Sequence, residues 1–144
     1  MLLPRKRICF LLVEDDSNDI LLAQRALGAG HSCRVEVARD GQEAVDYLQQ
    51  GSSSLPDVII LDLKLPRMSG FEFLRWLRSE ALEPMRLLPV IILSSSDLQS
   101  DVRTAYALGA NAFLVKPIDA SLFEERLKVL GILWSAHVEL PKPA

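Results

Sequence analysis

Five short apolar runs alternate with segments of helical periodicity: Ile8–Val13, Cys33–Ala38, Val58–Leu61, Val90–Leu93 and Ala112–Val115. The first, third and fourth are nearly continuous in Val, Ile and Leu. Strands buried on both faces of a parallel sheet read this way. The second run alternates at Val35, Glu36 and Val37, the pattern of an edge strand.

The intervening segments carry helix punctuation. Asn18–Ala29 places Ile20, Ala23 and Leu27 on one face, with Gly28 and Gly30 at its end. Asp40 with Glu43 has the spacing of a capping box, ahead of an apolar stripe of Ala44, Val45 and Leu48. Ser69 and Glu72 repeat the spacing before Phe73, Leu74 and Leu77. Ser96 or Asp97 is expected to start a fourth helix carrying Leu98, Val102 and Ala105, with Gly109 as its stop. Ser121 and Glu124 are expected to box the fifth. Strict strand–helix alternation of this kind predicts a doubly wound α/β fold, although spacing alone does not give the strand order. The longest irregular stretch is Ala81–Pro89.

Composition narrows the picture. The 144 residues suit one domain, expected to span 1–144 with its core at about 6–135, and the 49% apolar content is enough for a sizeable core. A net charge of −3 gives no electrostatic case for nucleic acid, and the cluster Arg5, Lys6, Arg7 reads as a solvated flank. Cys9 and Cys33 do not make a disulfide framework and are expected to be reduced, buried small hydrophobes. No stretch approaches the ~20 apolar residues of a membrane span. The run Ile8–Val13 is too short for a signal peptide and leads straight into acids, so a cytoplasmic location is expected. His31 and His137 have no partner at ligand spacing and are expected at the surface, and Trp76 is expected to pack.

In an open parallel sheet, ligands bind beyond the carboxyl ends of the strands. Glu14, Asp15 and Asp16 follow the first strand, Asp62 the third, Ser94, Ser95 and Ser96 the fourth, and Lys116 with Pro117 the fifth. Any one of these has an ordinary explanation; Asp15 or Asp16 can simply cap the first helix. Together they put acids, a hydroxyl and an ammonium on one rim. Clustered oxygen ligands suit a hard cation such as Mg²⁺. A lysine and a hydroxyl beside it suit a phosphoryl group, and a carboxylate can be the covalent acceptor.

Four segments carry a resemblance: Leu11-Leu12-Val13-Glu14-Asp15-Asp16, Leu61-Asp62-Leu63-Lys64-Leu65-Pro66-Arg67-Met68-Ser69-Gly70, Ile92-Leu93-Ser94-Ser95 and Phe113-Leu114-Val115-Lys116-Pro117. Together they resemble the signature segments of response-regulator receiver domains. That resemblance implies a flavodoxin-like sheet of five parallel strands in the order 2-1-3-4-5, with five helices. It implies Asp62 as phosphoacceptor, with Mg²⁺ held by Asp15, Asp62, Glu14 through water, and the backbone carbonyl of Lys64. It also implies Ser94 as the switch hydroxyl, Lys116 as the phosphate-binding lysine, Phe113 as the aromatic that turns inward, and a cis bond at Lys116–Pro117. Glu14 stands where Asp is usual, Lys64 where Asn is frequent, and Phe113 in place of Tyr. Ser94-Ser95-Ser96, Ala105–Ala112, the connection around Pro84–Pro89 and Leu130-Gly131-Ile132-Leu133-Trp134 are similar to small receivers that partner phytochrome-type sensor histidine kinases. The partner implied is such a kinase or a phosphotransfer protein.

Other functions fit less well. An aspartyl phosphohydrolase of the haloacid-dehalogenase type needs a second acid two residues after the nucleophile, where this chain has Lys64. A dinucleotide enzyme needs a Gly-rich turn after the first strand, and Glu14–Asp19 contains no glycine. A pseudo-receiver that binds partners without phosphorylation keeps the same fold. Finally, Phe123, Leu127, Leu130 and Trp134 form one stripe on the last helix, and Leu122, Val129, Leu133 and Ala136 form a second. Two stripes leave apolar area over, and a homodimer through Phe123, Leu127, Leu130 and Trp134 is expected. In that reading Gly131 admits a neighbouring backbone; the competing reading has the tail Val138–Pro141 covering the second stripe.

Overall fold

The computed structural model describes residues 7–28, 33–50 and 55–141. The expected helix end at Ala29 and Gly30, His31, and Arg5 and Lys6 of the basic flank lie outside the described residues. The strands are β1 (Ile8–Val13), β2 (Cys33–Ala38), β3 (Val58–Leu61), β4 (Val90–Ser94) and β5 (Ala112–Val115). They form one parallel sheet in the order β2-β1-β3-β4-β5. The helices are α1 (Ser17–Gly28), α2 (Gly41–Gln49), α3 (Gly70–Ser79), α4 (Gln99–Ala107) and α5 (Ala120–Ala136).

The continuous apolar runs are the inner strands because both their faces are covered. Every residue of β1, β3 and β4 is buried, whereas the edge strands β2 and β5 are largely half-buried. On one face, Phe10, Leu12, Ile60 and Ile91 meet Ile20, Ala23 and Leu27 of α1 and Phe123 and Leu127 of α5. On the other, Leu11, Ile59, Leu61 and Ile92 meet Leu48 of α2 and Phe73, Leu74 and Leu77 of α3. Burying a side chain of this size contributes about 1.5–3 kcal/mol, so these two layers hold the sheet between helices. Trp76 packs at the margin of the second layer, its ring centroid 6.0 Å from that of Phe73. Cys9 is buried and Cys33 half-buried, and both are free. No helix among the described residues is long and apolar enough to cross a membrane.

Two of the three expected capping-box spacings start their helices. Asp40 accepts from Glu43 N at 2.8 Å, and Ser69 with Glu72 forms the reciprocal pair. The expected starts of α4 and α5 are corrected. Helix α5 is capped by Asp119, which accepts from Leu122 N at 3.0 Å, because a carboxylate two residues earlier meets the free N–H groups first. Glu124 pairs with Arg25 of α1 instead. Helix α4 starts at Gln99, after the expected Ser96 or Asp97. Ser96 Oγ accepts from Leu98 N at 3.3 Å and donates to Asp101, closing a serine turn ahead of the helix. Of the stripe expected on α4 only Ala105 is buried, and Leu98 is 61% exposed.

The stretch Ala81–Pro89 contains a 3-10 turn at Met85–Leu87 and is pinned by one side chain. Arg78 of α3 donates to the carbonyls of Arg86, Leu88 and Gly109 and to Asn111 Oδ1. Asn111 Oδ1 also accepts from Val90 N, which ties the turn to the start of β4. Gly109 ends α4 with φ +103°, a conformation that costs a residue with a side chain.

The cis bond among the described residues is Glu83–Pro84, and Lys116–Pro117 is trans, contrary to expectation. The two isomers of an X–Pro bond differ by only about 0.5–1 kcal/mol, so local sequence alone does not select between them.

The dimer expectation is corrected at its residues. Phe123 is 4% and Leu127 1% exposed, and Leu130 and Trp134 pack against the same core layer, so this stripe faces the protein's own sheet. Gly131 is buried and its carbonyl faces Cys33 Sγ of β2, not another chain. The second stripe is the wet one: Leu122, Val129 and Leu133 are exposed, uncovered by the tail, whose Leu140 packs on the first layer.

Candidate functional site

The parallel register brings the strand ends level. Val13 pairs with Leu61, so Glu14 and Asp62 leave the sheet side by side, and Asp62 N donates to Val13 O at 3.0 Å. Ser94 pairs with Val115, and Lys116 N donates to Ser94 O at 2.8 Å, extending the ladder one step beyond β5. Acids, hydroxyl and ammonium therefore share one rim because four adjacent strands end there in register.

Charge organises that rim. The Lys116 ammonium lies 2.6 Å from Glu14 Oε2, 2.9 Å from Asp19 Oδ2 and 3.2 Å from Asp62 Oδ2. Its side chain is only 11% exposed. Glu14, Asp15 and Asp62 each offer a carboxylate oxygen, and these oxygens lie within 4.8 Å of one another. Like charges this close repel by several kcal/mol at the effective dielectric of a protein surface, on the order of 4 kcal/mol at 4 Å. One lysine cannot neutralise three such acids. An all-oxygen set with excess negative charge fits a hard divalent cation, so the residues present suit the metal that the family resemblance implies.

The supporting bonds fix each member. Asp16 N donates to Glu14 Oε1 at 3.1 Å, while Asp16 Oδ1 accepts from Asp19 N at 2.9 Å and so starts α1. Asp16 is therefore the helix cap, and Asp15 is left exposed beside Asp62. Lys64 N lies 3.4 Å from Asp62 Oδ1 in the loop between β3 and α3. That loop is held by Gly70 N to Leu63 O and Gly41 N to Met68 O, both 3.0 Å, and by an ion pair between Arg67 and the fully buried Asp40. A side chain at Gly70 would stand 2.2 Å from Asp62 O, so only glycine lets α3 begin directly under the acid.

Ser94 is fully buried, and among the described residues its Oγ accepts a single long bond, 3.3 Å, from Ser96 N. Phe113 is half-buried against the layer that carries α3 and α4. Glu14, Asp15, Asp62, Ser94 and Lys116 thus meet at one rim, with Lys64 in its loop. The residue that the sequence reading missed is Asp19. An acid in the first turn of a helix is ordinary dipole chemistry, and only the fold shows that it reaches Lys116.

Burial pushes the Glu14 carboxyl up, the Lys116 hydrogen bond pulls it down and the charge on Asp62 adds to the rise, leaving it at about 7. Burial alone would lower Lys116, but the carboxylates of Glu14, Asp62 and Asp19 outweigh it and hold the ammonium well above the ordinary lysine range.

A family model described as "Response regulator receiver domain" matches residues 10–128. The chain is 35% identical over 138 residues to the probable methanogenesis regulatory protein FilR2 of Methanothrix harundinacea (strain 6Ac), covering 93% of this chain and 88% of that one. It spans about half the length of other relatives, such as response regulator Rre1 of Synechocystis, at 34% identity over 81% of this chain and 48% of that one. Among solved structures, the phosphorylated cyanobacterial phytochrome response regulator RcpA superposes with a TM-score of 0.88 at 33% identity, covering 95% of this chain and all of that one. The Mn²⁺-bound form of response regulator Rcp1 gives 0.85 at 30% identity, covering 94% and 99%.

The Glu14 shift makes a pH prediction. An acid whose folded pKa lies above its unfolded value of 4.5 binds more protons when native, so its contribution to stability is full below about pH 4.5 and is lost as pH rises through 7. In chelator, urea unfolding of the wild type is expected to show a loss of roughly 1–3 kcal/mol between pH 5 and 8 from this group. Glu14→Gln is expected to flatten that slope. An equal slope in the variant contradicts the assignment.

Proposed function

The chain belongs to the response regulator receiver domain family of two-component systems, and from that premise we propose that Asp62 accepts a phosphoryl group with the help of Mg²⁺. The observation that carries this reading is the placement of Asp62: one oxygen 3.2 Å from the Lys116 ammonium, and the carboxylate within reach of Asp15 and Glu14. Asp15, Asp62 and the Lys64 carbonyl would hold the cation, with Glu14 acting through water. Bound there, Mg²⁺ supplies charge neutralisation for the phosphoryl oxygens.

The donor is read as the phosphohistidine of a sensor histidine kinase or a phosphotransfer protein. Asp62 Oδ forms the new bond to phosphorus. The phosphorus–nitrogen bond to the donor imidazole breaks, and the imidazole keeps the electron pair and takes a proton from water. Lys116 steadies the phosphoryl oxygens as a point charge. Ser94, held by one long bond, turns its hydroxyl toward them, and Phe113 moves into the space behind it. The rearranged surface around α4 and β5 then changes what the protein binds. This is a signalling role with slow self-hydrolysis, not turnover of a separate substrate. The similarity to RcpA, a cyanobacterial phytochrome response regulator, favours a phytochrome-type kinase.

With Phe123, Leu127, Leu130 and Trp134 turned to the core, the expected homodimer loses its interface, and we propose instead a homodimer through the exposed stripe of Leu122, Val129 and Leu133 on α5. Sedimentation velocity at micromolar concentration is expected to show a dimer for wild type and a monomer for Val129→Glu. A wild-type monomer, or a dimer indifferent to that change, removes α5 as the interface.

Intact-mass spectrometry after acetyl phosphate tests the main reading. Wild type in Mg²⁺ gains one phosphoryl group; Asp62→Asn in Mg²⁺, Asp15→Ala in Mg²⁺ and wild type in chelator gain none. Uptake by Asp62→Asn at the wild-type rate contradicts the acceptor. A wild type that gains nothing in Mg²⁺ supports a pseudo-receiver instead.

A further inference from the structure

The first turn of α1 reaches the site with a carboxylate that lies outside the acidic group around Asp62. Asp19 Oδ2 is 2.9 Å from the Lys116 ammonium, closer than Asp62 at 3.2 Å. Among the described residues, the carboxylates close enough to share one cation are Glu14, Asp15 and Asp62, and Asp19 is not one of them. Its backbone is fixed by the bond from its N–H to Asp16 Oδ1 at 2.9 Å, and its side chain is 30% exposed. Asp19 therefore touches the site only through the lysine.

We propose that Asp19 is a positioning residue for the cation chemistry of the rim: it shares the Lys116 ammonium with Glu14 and Asp62, so that less of the lysine's charge opposes a divalent cation bound there. The reason is competition between cations. The ammonium and a divalent ion are attracted to the same two carboxylates and repel each other at short range. A third carboxylate from α1, 2.9 Å from the ammonium, offsets its charge and anchors it. Without that anchor the lysine falls wholly to Glu14 and Asp62, and the metal binds against a full positive charge.

This inference rests on reading Glu14, Asp15 and Asp62 as a divalent-cation site. The test is isothermal titration of the full chain with Mg²⁺ alone, at fixed ionic strength, with thermal unfolding to check each variant. Asp19→Asn is expected to raise the Kd about fivefold, and Asp19→Ser, which also suits a helix first turn, to do the same. Asp19→Glu keeps the charge within reach of Lys116 and is expected to stay within about twofold of wild type. Lys116→Ala removes the competing cation and is expected to lower the Kd. In the Lys116→Ala background, Asp19→Asn is expected to shift the Kd by less than about twofold, because its effect runs through the lysine. An unchanged Kd in both Asp19→Asn and Asp19→Ser overturns the inference. So does an equal shift with and without Lys116, which would reduce Asp19 to a distant charge. A wild type that binds no Mg²⁺ is a separate result: it removes the cation site itself, and this inference with it.

Discussion

The rim of this protein is organised by one ammonium shared among three carboxylates. Lys116 sits one residue past β5 and meets Glu14 from the end of β1, Asp62 from the end of β3 and Asp19 from α1. Each partner comes from a different element, so the contact exists only when the strands are in register. The sheet is in register because its inner strands are apolar on both faces and covered by two helical layers. The negative charge left over at the rim opposes folding, and in the function proposed above it attracts a divalent cation.

Much of this was legible along the chain. The three continuous Val/Ile/Leu runs are the inner strands, and the capping spacings at Asp40–Glu43 and Ser69–Glu72 start α2 and α3. The acids, the serine and the lysine were visible as residues that follow strands, and the sheet brings them together. What was not legible depended on choices between near-equal local options. Asp119 and Ser121 both suit a helix start, and the earlier residue caps. The two apolar stripes of α5 have the same period, and only the packing of Phe123 and Leu127 under the sheet shows which faces in. The isomer at Pro117 turns on a difference too small for sequence to decide. Asp19 was missed because it sits in the first turn of a helix, where an acid is ordinary dipole chemistry, and not at a strand end.

The residues assigned to the proposed switch differ in how firmly they are held. Glu14, Asp62 and Lys116 are locked by short ionic contacts, and the loop after Asp62 is fastened by Gly70, Gly41 and the Arg67–Asp40 pair. Ser94 is buried with one long bond, Phe113 is half-buried, and α4 buries only Ala105. A firmly held Asp62 next to a helix with little buried surface suits the charge-driven switch proposed above, since a change in charge does work most easily on something weakly held.

The central claim is that the acids at the strand ends form a divalent-cation site abutting Asp62 and Lys116. Crystals grown with Mn²⁺ and measured near the manganese absorption edge test it most directly. The account places one anomalous peak bonded to the Asp15 and Asp62 carboxylates and the Lys64 carbonyl, with the Lys116 ammonium still on Asp19. No peak at the rim at saturating Mn²⁺, or a peak bonded to other residues, would contradict it.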